Sequence, residues 1–247
     1  MEKKPFNRVK IKKEAKNIVL KHYLAAIVPF ILAALGGVFA NQDWTILAAI
    51  YSIVVSLLIL KYSLALVRNP DRVQSNILDT LRYSLVDNFW TRLIYMIILS
   101  VIVFIINMGV FLAVTTMGGL SFIFGISLFR ADLDFMFLLT FFAVLVFLFF
   151  IYLINIYFYF YSYIIQDNLS EGNRLPKLTV LETLSKSFEL MRGRVGEFIL
   201  LHLSMLGWAL SCVLIIPIFF VVPYMSTVTT IWINKVMAED DEIVDFG

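Results

Sequence analysis

Hydrophobic and polar positions alternate on two scales along this chain. Long apolar runs are separated by short basic stretches in which apolar residues recur at helical spacing. A helix crossing a hydrocarbon core needs about 20 apolar residues. Residues 22–40 and 45–67 each supply that length. The run 93–129 carries no charge, and as one helix it would be about 55 Å long. Gly118-Gly119 is its natural break, giving a span 93–115 and a ten-residue apolar piece, 120–129, at the outer interface or re-entering. The next run yields a span 136–164, and "YFYFYSY" (157–163) reads as an aromatic belt at the headgroups. The last run, 198–234, is again too long for one crossing. Pro217 and Pro223 are its best turning points, since proline biases the preceding residue away from helix. The prediction is an all-α integral membrane protein with about six spans in three hairpins, the last formed by 197–216 and 217–236.

A short phrase precedes two of those hairpins: "ILDTLRYSL" at 77–85 and "VLETLSKSF" at 180–188. In the second copy Leu181, Leu184, Phe188 and Met191 form one helical stripe. Thr179 and Glu182 have capping-box spacing, Pro176 lies just upstream and Gly193 can close the end. The N-terminal "VKIKKEAKNIVLKH" has the same form, with Ile11, Ala15 and Ile18 opposite Lys10, Lys13 and Lys16. Amphipathic helices are therefore expected at about 8–21, 73–90 and 178–194, lying in the cytoplasmic headgroup plane. Each is either an elbow that orients the following hairpin or part of a basic collar that binds anionic lipid or a partner.

Composition agrees with the spans. The 247 residues are 61% hydrophobic and 15% charged, with a mean hydropathy of +0.89. Soluble domains carry about 25% charged residues, so this chain has too little polar surface to coat a globule. With both termini in the cytoplasm, six spans leave 19 of the 20 Lys and Arg residues inside and only Arg130 outside, a strong positive-inside bias. A seventh span at 120–129 would move the cluster from Arg174 to Arg194 outside. The strongly basic opening and the lack of a small-residue cleavage site argue against a cleavable signal peptide. The only cysteine, Cys212, excludes an intramolecular disulfide. The tail 239–247 is acidic and is expected to stand away from anionic lipid, folding back on the basic helices or docking on a partner as the alternatives.

The C-terminal third reads "LSKSFELMRGRVGEFILLHLSMLGWAL" and then "PYMSTVTTIWINKVM", and the chain opens with "RVKIKKEAKNIVLKHY". These stretches resemble an uncharacterised family of multi-pass membrane proteins common in Gram-positive bacteria, distantly similar to the membrane domain of some glycerophosphodiester phosphodiesterases. The likeness covers about 8–40 and 176–237. A glycine-rich turn usual before Pro-Tyr is replaced here by "VLIIPIFFVVPY". The resemblance implies a multi-pass fold in a bacterial plasma membrane and no established activity.

Little in the chain points to catalysis. Its two histidines, His22 and His202, lie at or within spans with no carboxylate-rich soluble segment to join them. The phosphate-binding loop G-x-x-x-x-G-K-[ST], H-E-x-x-H and G-x-S-x-G are all absent. No cofactor, metal site or nucleic-acid partner is expected. The remaining candidates are polar groups inside spans, which are costly in lipid. Lys61 is placed to snorkel, Asn107 and Asn155 to bond across helices, and Glu197 to pair loosely with His202. On the surface, Lys10, Lys12, Lys13, Lys16, Arg82, Lys186, Arg192 and Arg194 are the candidates for contact with lipid or a partner. The expected function is a non-enzymatic accessory, scaffold or assembly module at the cytoplasmic face, with membrane lipids and a membrane protein or transport ATPase as partners. The alternative is a small transporter or exporter component for a peptide or lipid.

Overall fold

A computed structural model of the chain describes residues 5–38, 45–86, 88–129, 133–168, 179–212 and 217–245. Asn41–Asp43, Asp87, Arg130, the stretch 169–178 with Arg174, Pro176 and Lys177, and residues 213–216 lie outside them. The described residues hold helices and no strand. Among these helices Ile50–Arg68, Phe89–Leu112 and Val144–Asp167 are long and apolar enough to cross a membrane. The bent pair Arg8–Lys21 and Tyr23–Leu35 makes a fourth if it counts as one span.

The chain divides into two compact units, Met1–Ile94 with Phe160–Gly247, and Tyr95–Tyr159. In the first, α1 (Arg8–Lys21) begins at Asn7, whose side-chain oxygen accepts from the amides of Val9 and Lys10 at 3.0 and 3.2 Å. That satisfies two of the amides every helix start leaves open. Its apolar stripe, Ile11, Ala15, Ile18 and Val19, is buried, and α1 packs along α11 (Ile218–Asp245). The stripe is thus protein core, where lipid contact was expected. At His22 the chain turns through 91° into α2 (Tyr23–Val38), which packs with α3 (Thr45–Arg68) and α11. Tyr62, Leu57, Val228, Ile231 and Trp232 fill the space between helices. In lipid such packing replaces the hydrophobic drive that water would supply.

The stretch expected as one surface helix over 73–90 is two, α4 (Pro70–Ser75) and α5 (Ile77–Val86), divided at Asn76. Asn88 follows in a left-handed conformation (φ 52°) and opens α6 (Phe89–Phe129). Its 41 residues make a rod of about 60 Å, unbroken at Gly118-Gly119. Two interior glycines cost a helix only about 2 kcal/mol of propensity, too little to force a break. Then comes α7 (Leu133–Asn168).

In the second unit α6 and α7 expose most of their described side chains, with Leu99 and Ile156 buried. Phe104, Ile105, Phe111, Phe142 and Leu148 are each about half or more exposed, and the rings of Phe111 and Phe147 meet across the two helices at 6.1 Å.

Back in the first unit, α8 (Val180–Met191) starts with both halves of the capping box formed: the Thr179 amide donates to Glu182 at 2.7 Å, and the Glu182 amide to the Thr179 hydroxyl at 3.3 Å. Gly193 (φ 82°) follows its end, a conformation glycine adopts without steric cost. The first arm of the expected last hairpin is two short helices, α9 (Val195–Leu203) and α10 (Leu206–Ser211), broken at Ser204-Met205. The second arm, α11, starts after Pro217 and runs through Pro223 without stopping. It also carries the acidic tail as helix to Asp245.

Two interior prolines explain how α2 and α11 stay helical. Proline at position i leaves the carbonyl at i−4 without its amide. Pro29 frees the carbonyl of Ala25, and the Tyr62 hydroxyl of α3 donates to it at 3.1 Å. Pro223 frees the carbonyl of Phe219, and the Tyr23 hydroxyl of α2 donates to it at 3.3 Å.

Candidate functional site

Charged contacts in the first unit gather around one end of its helices. Arg68, closing α3, is paired with Asp167 near the end of α7 and donates to Asn234 of α11 at 2.8 Å. The next residue of α11, Lys235, pairs with Glu14 of α1 at 3.1 Å. Lys21, closing α1, pairs with Asp71 of α4 at 3.1 Å, and that hydrogen bond and charge hold the Asp71 carboxyl below the usual carboxylate range. His22 is buried and sets Nε2 3.5 Å from the same carboxylate.

At the centre of this layer lies Arg194, only 3% exposed. Its Nη2 donates to Glu239 at 2.6 Å, its Nη1 lies 3.5 Å from Glu197, and its guanidinium lies over the Phe6 ring at 4.8 Å. The Glu197 carboxylate is the hub: its Oε1 accepts from the Phe6 amide and the Trp232 indole, both at 2.9 Å. Three segments far apart in sequence, at residue 6, at 194–197 and on α11 at 232 and 239, are thereby tied together. A buried cation with two carboxylates near it and charge-assisted hydrogen bonds around it is the setting in which such a group is tolerated.

The candidate residues divide accordingly. Lys10, Lys13, Lys16, Arg82 and Arg192 are exposed. Lys186 is half-buried with a partner of its own. Lys12 donates to the Ser204 carbonyl at 2.9 Å; loss of solvent, then the nearby Arg8, lowers its pKa. Arg194 belongs to the buried hub and leaves the basic face. Lys61 was expected to snorkel but is 5% exposed, its ammonium 4.2 Å from the centre of the Tyr83 ring. Tyr83 of α5 covers it. Asn107 and Asn155 donate to the carbonyls of Val103 and Ile151 on their own helices, each at 2.8 Å, in place of the expected cross-helix bonds. His202 and Glu197 do not pair, since the imidazole Nδ1 takes the Phe198 carbonyl at 3.0 Å and Glu197 is held by the hub.

Several residues here carried no sequence signal beyond their type. Arg92 is fully buried, donating to Gln166 at 2.9 Å and to the Leu85 carbonyl at 3.3 Å. Phe6, Trp232 and Glu239 acquire their roles only through partners at distant positions.

The surface helices carry exposed apolar groups beside their cations. Leu78, Tyr83 and Val86 flank Arg82 on α5, and Leu181 and Phe188 project from α8. An exposed apolar face rimmed by cations suits the boundary between acyl chains and anionic headgroups. Among the described residues no group of His, Cys, Asp and Glu has the form of a metal site. No curated protein and no solved structure matches the chain. Its sequence does match one family over residues 1–240, and the chain accordingly belongs to the family described as "Protein of unknown function (DUF975)".

Proposed function

We propose that this chain is a non-enzymatic, multi-pass protein of a Gram-positive plasma membrane that acts as an accessory or scaffold module, holding anionic lipid headgroups at its cytoplasmic face. In this reading α2, α3, α6, α7, α9 with α10, and α11 make six crossings, and both termini are cytoplasmic. The observation that carries it is the hub. Phe6 near the start of the chain and Glu239 near its end grip the same Arg194–Glu197 pair, as an even number of crossings requires. The positive-inside bias supports placing that shared side in the cytoplasm. Lys10, Lys13 and Lys16 stand exposed on α1, whose opposite face is locked onto α11. The cations are therefore presented by a fixed platform, and binding a headgroup there requires no ordering of the helix.

The test uses the purified full chain in neutral detergent, titrated with phosphatidylglycerol or phosphatidylcholine while thermal unfolding is followed. The anionic lipid is expected to raise the midpoint and the zwitterionic lipid to leave it unchanged, the rise shrinking in 0.5 M salt. The triple variant Lys10→Gln, Lys13→Gln, Lys16→Gln is expected to lose most of the rise. Equal stabilisation by both lipids, or a rise untouched by the variant, would overturn the reading.

A further inference from the structure

We propose that the cavity between α2, α3 and α11 is a binding site for an aliphatic chain bearing one oxygen acceptor, the chemistry of an acyl ester or an alkanol, with Ser63 as its hydrogen-bond partner. This is independent of the headgroup-binding face. The cavity measures about 170 Å³, slightly larger than an apolar cavity of about 150 Å³ that takes up benzene, so it suits roughly six carbons. Pro29 and Pro223 both line it, and both are buried. Their freed carbonyls are taken by Tyr62 and Tyr23, so the two interrupted helices that frame it are pinned from neighbouring helices. A space framed in this way is built into the fold, where a packing fault would have no such supports.

The polar groups inside are unequal. The Thr227 and Thr230 hydroxyls donate back to the carbonyls of Pro223 and Ser226 at 2.8 and 3.0 Å. Ser56, two turns before Ser63 on α3, likewise bonds its own helix at Ser52, at 2.7 Å. Ser63 is 6% exposed, lines the cavity and makes no such bond among the described residues. A hydroxyl that faces an apolar space without a partner is costly. Away from Ser226 at the exposed edge, a single hydroxyl does not give a water the two to four partners it needs, whereas a chain with a single oxygen fits both the Ser63 hydroxyl and the apolar wall. Ala33, Val222 and Ser226 at the cavity edge are exposed, which gives the chain an entry. The site is also near the right depth for an ester: Ser63 is five residues, about 7.5 Å along α3, from Arg68 of the charged layer.

The experiment photolabels the full chain in detergent with a hexan-1-ol bearing a diazirine, followed by peptide mapping. Labelling is expected to saturate, to fall within residues 26–33, 59–67 and 222–230, and to be displaced by unlabelled hexanol. Ser63→Ala is expected to weaken it about five-fold, the loss of one hydrogen bond. Ala33→Leu, an exposed substitution at the edge that leaves the core untouched, is expected to abolish it. The same labelling in nanodiscs, beside a phospholipid with a diazirine in its acyl chain, separates the sources. Labelling of these peptides by the phospholipid with loss of the alkanol signal identifies a bilayer lipid, and alkanol labelling undiminished in the discs identifies a free amphiphile. Non-saturable labelling spread over the exposed faces of 101–112 and 144–155, or labelling unaffected by both variants, would overturn the proposal.

Discussion

Replacing Glu197 by alanine removes the acceptor that joins the N-terminal segment at Phe6 to α11 at Trp232. The Trp232 indole and the Phe6 amide, each 2.9 Å from Oε1, lose their partner, and Arg194 keeps only Glu239. A hydrogen bond to a charged acceptor contributes about 1.5–3 kcal/mol, and breaking a buried ion pair costs about 3–5 kcal/mol. These terms describe one carboxylate and overlap, so the expected loss is about 3–5 kcal/mol. Glu239→Ala is the internal comparison. Its side chain is 32% exposed, water can take its place beside the guanidinium, and the expected loss is about 1 kcal/mol. Both variants are compared with the parent by equilibrium unfolding in mixed micelles, read by tryptophan fluorescence. Exchange of the Phe6 amide gives a second readout, expected to rise in Glu197→Ala and to stay near the parent value in Glu239→Ala. A gap between the two variants below about 1 kcal/mol would refute the assignment of Glu197 as the hub.

Other outcomes follow from the same contacts. Tyr62→Phe leaves the Ala25 carbonyl without a donor and is expected to cost about 1–3 kcal/mol by the same unfolding assay, more than Tyr23→Phe, whose ring is 37% exposed. Thr179→Ala removes one half of the α8 capping box, with an expected cost of about 1 kcal/mol, seen as faster amide exchange in the first turn of α8. The Thr179 amide and hydroxyl hold the Glu182 carboxyl below its ordinary value of 4.5. A lowered folded-state value means its contribution is complete above 4.5 and is lost as pH falls through the folded value. First-turn protection, corrected for intrinsic rates, should therefore be flat from neutral pH to about 5 and decline below 4.5; a flat profile to pH 2 would contradict the cap. Lys61→Met should be tolerated better than Lys61→Ala, because the methionine keeps the buried stem's volume beneath Tyr83; equal losses of stability in the two would contradict burial of that stem.

What could be read from the sequence was local. The start and end of α8 are set by Thr179, Glu182 and Gly193, all within fifteen residues, and their spacing carries the physics of capping. The helical character of the apolar runs follows from the same short-range constraint, since backbone groups in lipid must be satisfied within the segment. The rest depended on partners remote in sequence. Pro223 looked like a stop because the Tyr23 hydroxyl that closes its gap lies 196 residues from the Phe219 carbonyl it caps. Gly118-Gly119 looked like a break, although two interior glycines cost a helix only about 2 kcal/mol. Glu197 looked like a loose partner for His202, while its real partners are at positions 6 and 232. The stripe of α1 was visible, but whether it faced acyl chains or another helix depended on α11.

The central claim of the proposal is that the cations of α1 and α5 and the half-buried Lys186 of α8 share one side of the membrane, the cytoplasmic one. Single cysteines at Lys13, Arg82 and Lys186, in a Cys212→Ser background, test it with a membrane-impermeant maleimide. All three should react in inverted vesicles and none in intact spheroplasts; reaction of any one of them in spheroplasts would contradict the account.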